Sequence, residues 1–262
     1  MMAPTRDRLN GIFESRDKFL FIAGPCAVED LNQMEQSARK MTSLGVPVLR
    51  SEIFKPRTNP DYFQGVGISG LEILKRVKKE TGILVITEVL DVRYLEDVLK
   101  VADIIQVGSR NSQNFSLLRE VGNIDKPVLI KRGFGNTIDE LIQSTRYISR
   151  EGNDRIMVVE RGIRTFEHSV RFTLDVAAIP VLKERLDYPV LVDPSHPAGR
   201  RKYVVPLALA ATAAGADGLM VEVHPDPPRA KSDSEQQLSF DEFSALVEKV
   251  KSLLPLVGKR LL

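Results

Sequence analysis

The chain has 262 residues, 43% hydrophobic and 27% charged, a globular balance that suits one α/β barrel or two small domains. Its 37 Lys and Arg against 35 Asp and Glu leave a formal charge of +2, which excludes a nucleic-acid binder working through a broad basic field. One cysteine, Cys26, excludes a disulfide framework; no apolar run nears the ~18 residues of a membrane span, and MMAPTRDRLNGIFESRDK is no secretory leader, so a cytoplasmic protein with no membrane partner is expected.

Along the chain, short apolar runs recur at Phe19–Ala23, Val46–Leu49, Leu84–Thr87, Ile104–Val107, Val128–Ile130, Ile156–Val159, Val190–Val192 and Gly218–Val221. Each is too short for an ordinary helix and reads as a strand buried on both faces. Amphipathic stretches lie between them, among them Asp30–Ser43, Gly70–Glu80, Val92–Val101, Thr137–Ser149, Phe172–Glu184 and Tyr203–Ala214. Asp30 and Asp91 are placed to cap their helices, and Thr137 with Glu140 matches a capping box. After the last strand, the stretch 225–237 is too rich in Pro, Asp and Ser to continue a helix and reads as a long loop. About eight β-then-α units imply a parallel sheet with helices outside. An open doubly wound sheet is the rival architecture, but neither G-x-G-x-x-G after the first strand nor a P-loop is present.

The residues at the strand ends separate the two architectures. In order they are Cys26, Arg50, Glu88, Arg110, Lys131, Arg161, the Asp193–His196 loop and Glu222. In a (β/α)8 TIM barrel these ends converge on one face, where the active site lies. The expectation is therefore an α/β protein with a single barrel domain over residues 1–262. The 18 or so residues before the first strand form an extension too short for a separate regulatory domain.

Two chemistries sort out of that face. Arg50, Lys55, Arg57, Arg110, Lys131 or its neighbour Arg132, and Arg161 form a cationic set, and guanidinium forks match phosphate and carboxylate oxygens. Singly these would be solvated surface cations; together they imply a substrate with several negative charges. Cys26, His196, Glu222 and Asp233 offer thiolate, imidazole and carboxylate, a mixed set suited to one divalent ion such as Mn²⁺, Fe²⁺, Zn²⁺ or Co²⁺. Alone, Cys26 would be a buried small hydrophobe and His196 a loop histidine, although Pro194 and Pro197 restrict the backbone around the ring.

These residues sit in runs that resemble a known family. AGPCAVE (23–29), LRSEIFKPRTNP (49–60), ITEVLD (86–91), IQVGSRNSQN (105–114), LIKRGF (129–134), VERGIRTF (159–166), VDPSHPAGR (192–200), VEVHPDP (221–227) and SDSEQQL (232–238) look like those of 3-deoxy-D-arabino-heptulosonate 7-phosphate (DAHP) synthase. The resemblance is to the short microbial type I beta form, related to 3-deoxy-D-manno-octulosonate 8-phosphate synthase. It implies condensation of phosphoenolpyruvate with erythrose 4-phosphate and water, the entry to the shikimate route to aromatic amino acids, in a homo-oligomer (dimer or tetramer). The family's metal ligands match Cys26, His196, Glu222 and Asp233. Its phosphoenolpyruvate cations match Arg50, Lys55, Arg110, Lys131 and Arg161. The segment Lys55, Pro56, Arg57 and Thr58 matches the grip on the four-carbon aldose, whose phosphate lies near Gly108, Ser109 and the loop to Ser112. Lys131 and Glu88 are placed to orient or deprotonate the water, and Asp193 is counted with the substrate-binding residues, placed to orient metal-side water or the adjacent loop. The octulosonate synthases carry a K-A-N-R-S type segment where this chain has KPRT, which favours the four-carbon aldose. Two rivals remain: a Schiff-base aldolase using Lys131, and a catalytically silent barrel that binds anions. His168 is expected near a helix start and His224 in the last βα loop.

Overall fold

The computed structural model describes residues 5–262, and its first helix falls where the sequence suggests only an extension. Helix α1 (Thr5–Glu14) precedes β1 (Lys18–Gly24), α2 (Leu31–Ser43), β2 (Val48–Arg50), α3 (Gly70–Thr81), β3 (Leu84–Glu88), α4 (Leu95–Leu99) and β4 (Ile104–Val107). The chain continues through α5 (Phe115–Gly122), β5 (Val128–Lys131), α6 (Ile138–Ser149), β6 (Ile156–Glu160), α7 (Ala178–Arg185) and β7 (Val190–Val192). It ends with α8 (Ser195–Ala198), α9 (Arg201–Ala213), β8 (Gly218–Glu222), α10 (Phe240–Leu253) and the two-residue β9 (Arg260–Leu261). Strands β1 to β8 pair in parallel, each with the next, and β8 pairs with β1 over five residues to close the barrel. Strand β9 adds to the start of β1, Lys18 facing Arg260.

Closure divides the apolar residues by parity. Ile22, Ile86, Leu129, Met157 and Met220 point inward and form the barrel's interior. Their neighbours Phe21, Val85, Ile130, Val158 and Val221 point outward and pack beneath the helices. Leu9 and Ile12 of α1 are buried in the interior cluster, so this helix plugs the N-terminal mouth. No helix among the described residues is long and apolar enough to cross a membrane.

The strand bounds differ from the apolar pattern in one informative way. Strands β2, β3, β5, β6 and β8 each run on to a charged residue: Arg50, Glu88, Lys131, Glu160 and Glu222. Backbone pairing continues past the last apolar side chain, which places Arg50, Glu88, Lys131 and Glu222 inside the C-terminal mouth, whereas Glu160 has the outward parity of Val158 and takes Arg132 behind the wall. Strand β2 starts at Val48, because Pro47 has no amide and contributes only its carbonyl, which accepts from Leu84 N at 3.1 Å.

The helix caps follow side-chain chemistry. Thr137 and Glu140 complete the capping box of α6, and Asp30 caps α2. Asp91 caps a single 3₁₀ turn over Val92–Tyr94, so the helix expected over 92–101 is reduced to α4. The helix expected over 172–184 begins only at Ala178. Thr173 pairs with Ile163 across the β6–α7 loop and Phe172 stacks on Phe134, which holds the chain away from helical geometry until Asp175 accepts from Ala178 N. His168 therefore lies in an exposed turn of that loop and not at a helix start. The stretch 225–237 is a loop with one 3₁₀ turn, Pro227–Arg229.

Leu9→Ala should lower stability by about 2–5 kcal/mol, the usual range for emptying a buried leucine site. Urea unfolding would test this, and a loss near zero would show that α1 does not plug the barrel.

Candidate active site

A cavity of about 440 Å³ opens over the C-terminal strand ends. Arg50, Lys55, Pro56, Arg57, Thr58, Ser109, Arg110, Lys131 and Arg161 line it, together with Glu88 and His196. So do Glu52, Gln106, Phe134, Arg164, Arg171 and Phe172, which the sequence reading leaves without roles. Most lie within the same motif runs, but motif membership alone does not show which side chains face inward. Lys131 and Arg132 resolve by strand parity. Lys131 faces the cavity, while Arg132 donates to Glu160 at 2.8 Å and Asp175 at 2.9 Å and anchors the β6–α7 loop.

Two expected substrate-binding residues lie behind this surface. Gly108 packs under Glu88 so closely that a Cβ there would stand 2.1 Å from Glu88 Oε1, so its function is to leave room for that carboxylate. Asp193 is fully buried. Its Oδ1 accepts the amides of Ser195 (3.0 Å) and His196 (3.1 Å), and its Oδ2 lies 2.7 Å from His196 Nδ1 and 2.8 Å from Lys131 Nζ. It positions the groups around it and presents no oxygen to the cavity.

Cys26 after β1, His196 in α8, Glu222 at the end of β8 and Asp233 in the following loop bring one donor atom each to within 4.8 Å of one another. With Nδ1–H donated to Asp193, His196 directs Nε2 at Glu222 Oε1 (3.4 Å) and Asp233 Oδ2 (3.8 Å). Burial lowers the ring to about 4, outweighing the pull of Asp193, so His196 is neutral at pH 7, the form that binds metal. Burial opposes ionisation of Glu222 as well, yet His196 and Arg50, whose Nη1 lies 2.9 Å from its Oε1, hold it at about 2. Burial also opposes ionisation of Asp233, but Lys55, His196 and Arg171 keep it far below the ordinary carboxylate range. Burial and the Glu222 charge push the Cys26 thiol up. Asp233 has φ of +50°, the one non-glycine residue in the left-handed region among the described residues, a strain of the kind found at functional sites.

The donor set fits a first-row divalent ion: one sulfur, one imidazole nitrogen and two carboxylates, converging and buried. The ammonium of Lys55 already sits among them, 2.7 Å from Cys26 Sγ and 2.9 Å from Asp233 Oδ2, which shows that the pocket attracts positive charge.

The opposite wall repels it. Arg161 is 4% exposed, and its Nε and Nη1 have no hydrogen-bond partner. Its guanidinium lies 4.8 Å from the Phe134 ring centre and 4.4 Å from that of Phe172. Arg110 and Arg164 stand over the same Phe134 ring. Burial lowers Arg161 to about 10 and lowers Arg110 too, with Arg171, Arg57 and Arg164 adding like charge around Arg110. A buried guanidinium with idle donors is costly unless an anion arrives to accept from it.

Glu88, between these regions, is raised from 4.5 to about 7 by burial and by Glu52, with Lys131 and Lys55 opposing. Because the folded value is raised, the stability this carboxyl contributes is present below about pH 4.5 and is lost as pH rises through about 7. The Tm of Glu88→Gln minus that of the unmodified protein should therefore be larger at about pH 8 than at about pH 5. Equal differences at both pH values would contradict the raised value.

Comparison with known proteins matches the DAHP synthetase I family over residues 5–257. The chain is 49% identical over 240 residues to a Thermotoga maritima phospho-2-dehydro-3-deoxyheptonate aldolase, covering 92% of this chain and 71% of that one. It is 31% identical over 252 residues to a 2-dehydro-3-deoxyphosphooctonate aldolase of Geobacter sulfurreducens, covering 89% of this chain and 92% of the relative. A crystal structure of the Thermotoga maritima DAHP synthase superposes with a TM-score of 0.91 at 48% identity, covering 94% of this chain and 72% of that one. A truncated form of the Thermotoga maritima enzyme gives 0.87 at 45%, covering 94% and 90%.

Proposed function

Because the chain belongs to the DAHP synthetase I family, we propose that it condenses phosphoenolpyruvate with erythrose 4-phosphate and water, releasing inorganic phosphate and DAHP, the first step of the shikimate pathway. The observation that carries this reading is one cavity joining a converged metal-ligand set to a buried, unpartnered guanidinium.

The family's metal dependence fits Cys26, His196, Glu222 and Asp233 as ligands. A divalent ion held there supplies Lewis-acid polarisation of the aldehyde, and Mn²⁺, Fe²⁺, Zn²⁺ and Co²⁺ all suit the donors. The protein's own groups do the rest. Arg110 and Arg161 grip the phosphate of phosphoenolpyruvate, with Arg50, Lys55 and Lys131 on its remaining charges. Pro56, Arg57, Thr58 and Ser109 form the end that takes the aldose phosphate, and Arg110 Nη2 lies 3.5 Å from Thr58 Oγ1. Holding both anions against one cationic wall offsets their mutual repulsion and aligns C3 of the enol with the aldehyde carbon. C3 of the enol bonds to the aldehyde carbon as the aldehyde C=O opens and its oxygen takes up a proton. Water adds at C2 while Glu88 takes its proton with Lys131 alongside, and the C2–O bond to phosphate breaks as the new C2 hydroxyl loses its proton to become the ketone. Arg110 and Arg161 meet the charge that develops on the departing phosphate.

Lys131 Nζ is held 2.8 Å from Asp193 Oδ2 within the site, and the converged metal-ligand set gives an enol phosphate reaction no need of an imine, so the Schiff-base reading weakens. The octulosonate reading also has less support, at 31% identity against 49%. A free thiol among the ligands supports action in a reducing compartment, consistent with the cytoplasm.

Phosphate release from phosphoenolpyruvate should require both a divalent ion and an aldose phosphate, with erythrose 4-phosphate far better than arabinose 5-phosphate. Cys26→Ala should abolish most metal-dependent turnover. Release without aldose, or binding with no turnover on either sugar, would overturn the assignment. Asp193→Asn should weaken Zn²⁺ affinity by about 10–100-fold, measured by competition with a chromophoric chelator, because the imidazole loses the partner that orients it.

A further inference from the structure

Glu52 stands two residues beyond Arg50 and is 3% exposed, yet it lines the cavity. Three donors fix it. Its Oε1 accepts from Arg50 Nη2 at 3.2 Å and from Gln106 Nε2 at 3.0 Å, and its Oε2 accepts from the backbone amide of Glu88 at 2.5 Å. The same Gln106 nitrogen also donates to Glu88 Oε2 at 3.2 Å, so one amide bridges two carboxyl groups. The other oxygen of Glu88, Oε1, is buried without a partner. A second carboxylate this close to a cluster that must receive anions is unexpected: it offsets Arg50 and adds repulsion exactly where substrate charge has to go, so it needs a purpose.

We propose that Glu52 is a positioning residue for the proposed reaction: anchored by Arg50 and bridged through Gln106, it is a fixed negative charge that governs when Glu88 gives up its proton. The inference rests on the role given to Glu88 above. The charged groups facing Glu88 are Glu52 after β2, Lys55 in the β2–α3 loop, Arg110 after β4 and Lys131 at the end of β5. The three cations favour the ionised form, and Glu52 is the like charge that opposes them. A carboxylate surrounded by cations alone would lose its proton well below neutral pH and be a weak base. Glu52 restores basicity, which general base catalysis on water requires near neutral pH. Geometry makes it effective: Gly108 and the Gln106 bridge hold Glu88 in place, so it cannot swing away from the repulsion.

The test uses the Zn²⁺-loaded protein. The pH dependence of kcat/KM is compared for the unmodified chain, Glu88→Gln, Glu52→Gln and Glu52→Asp, alongside titration of the Glu88 carboxyl carbon by NMR, its signal identified by its loss in Glu88→Gln. The limb that Glu88→Gln removes should move to lower pH by about 1 unit or more in Glu52→Gln, and the carboxyl titration should move with it. Glu52→Asp, which keeps the charge, should return both toward the original position even if its rate stays low. A uniform loss of kcat/KM at every pH, with the Glu88 titration unmoved, would show that Glu52 only packs against Arg50 and would overturn the proposal. If Glu52→Gln does not fold, an unmoved titration in Gln106→Leu, which removes the bridge, overturns it equally. Absence of turnover in every protein would sink the functional reading, while the carboxyl titration would still decide the role of Glu52.

Discussion

A carboxylate with no exposure to solvent ties the two halves of the site together. Asp193, just beyond β7, accepts from two backbone amides, one imidazole and one ammonium. Its Oδ1 fixes the first turn of α8, and that turn carries His196. Its Oδ2 sets which imidazole nitrogen faces Cys26, Glu222 and Asp233, while pinning Lys131 on the substrate side. Burial strongly opposes its charge, and His196, Lys131 and Arg50 nevertheless keep it well below the ordinary carboxylate range. One side chain thus aligns the proposed metal ligand His196 and the proposed substrate cation Lys131 with each other, so their spacing follows from a single buried group.

The barrel makes this arrangement possible because it separates two demands along each strand. Inward residues in mid-strand, such as Ile22, Ile86 and Leu129, fill the interior with apolar atoms, and α1 seals the lower mouth. The next inward positions after Val48, Ile86, Leu129 and Met220 are the charged Arg50, Glu88, Lys131 and Glu222. The core below therefore carries stability, and the layer above is free to hold charges in positions that stability alone would not select.

Much of this was legible in the sequence. The alternation of apolar runs marked all eight barrel strands, and the polar residue after each run pointed to a common face. Local rules sufficed for Thr137 and Glu140, whose bonds are internal to a few residues. They failed for the stretch 172–184, where an amphipathic pattern was overridden by the stacking of Phe172 on Phe134, a contact between the loops that follow β5 and β6. Asp193 and Gly108 lie in motif runs, but membership in a run does not show whether a side chain faces a ligand or supports a neighbour. Glu52 was invisible for a related reason. It falls inside the LRSEIF run beside a more conspicuous arginine, and its significance arises only where β2, β3 and β4 bring it to Glu88 and Gln106. The helix α1 has too few apolar residues to announce itself, and it is ordered by the barrel floor it covers.

The charges in the mouth differ in whether the protein itself balances them. Arg50 lies between Glu52 and Glu222, Lys131 lies on Asp193, and Lys55 lies on Asp233. Breaking such buried pairs leaves a lone charge in a medium that solvates it poorly, so each pair is rigid once formed. Arg161 is the buried exception: it lies against the stacked pair of Phe134 and Phe172, with idle donors and, among the described residues, no carboxylate at ion-pair distance. Its attraction for an anion is therefore not diminished by competition from the protein. The ring contacts hold the guanidinium in place without neutralising it, as binding of a phosphate requires. The paired cations hold the geometry of the site, and Arg161, buried with idle donors, is the one whose burial is offset only when an anion arrives.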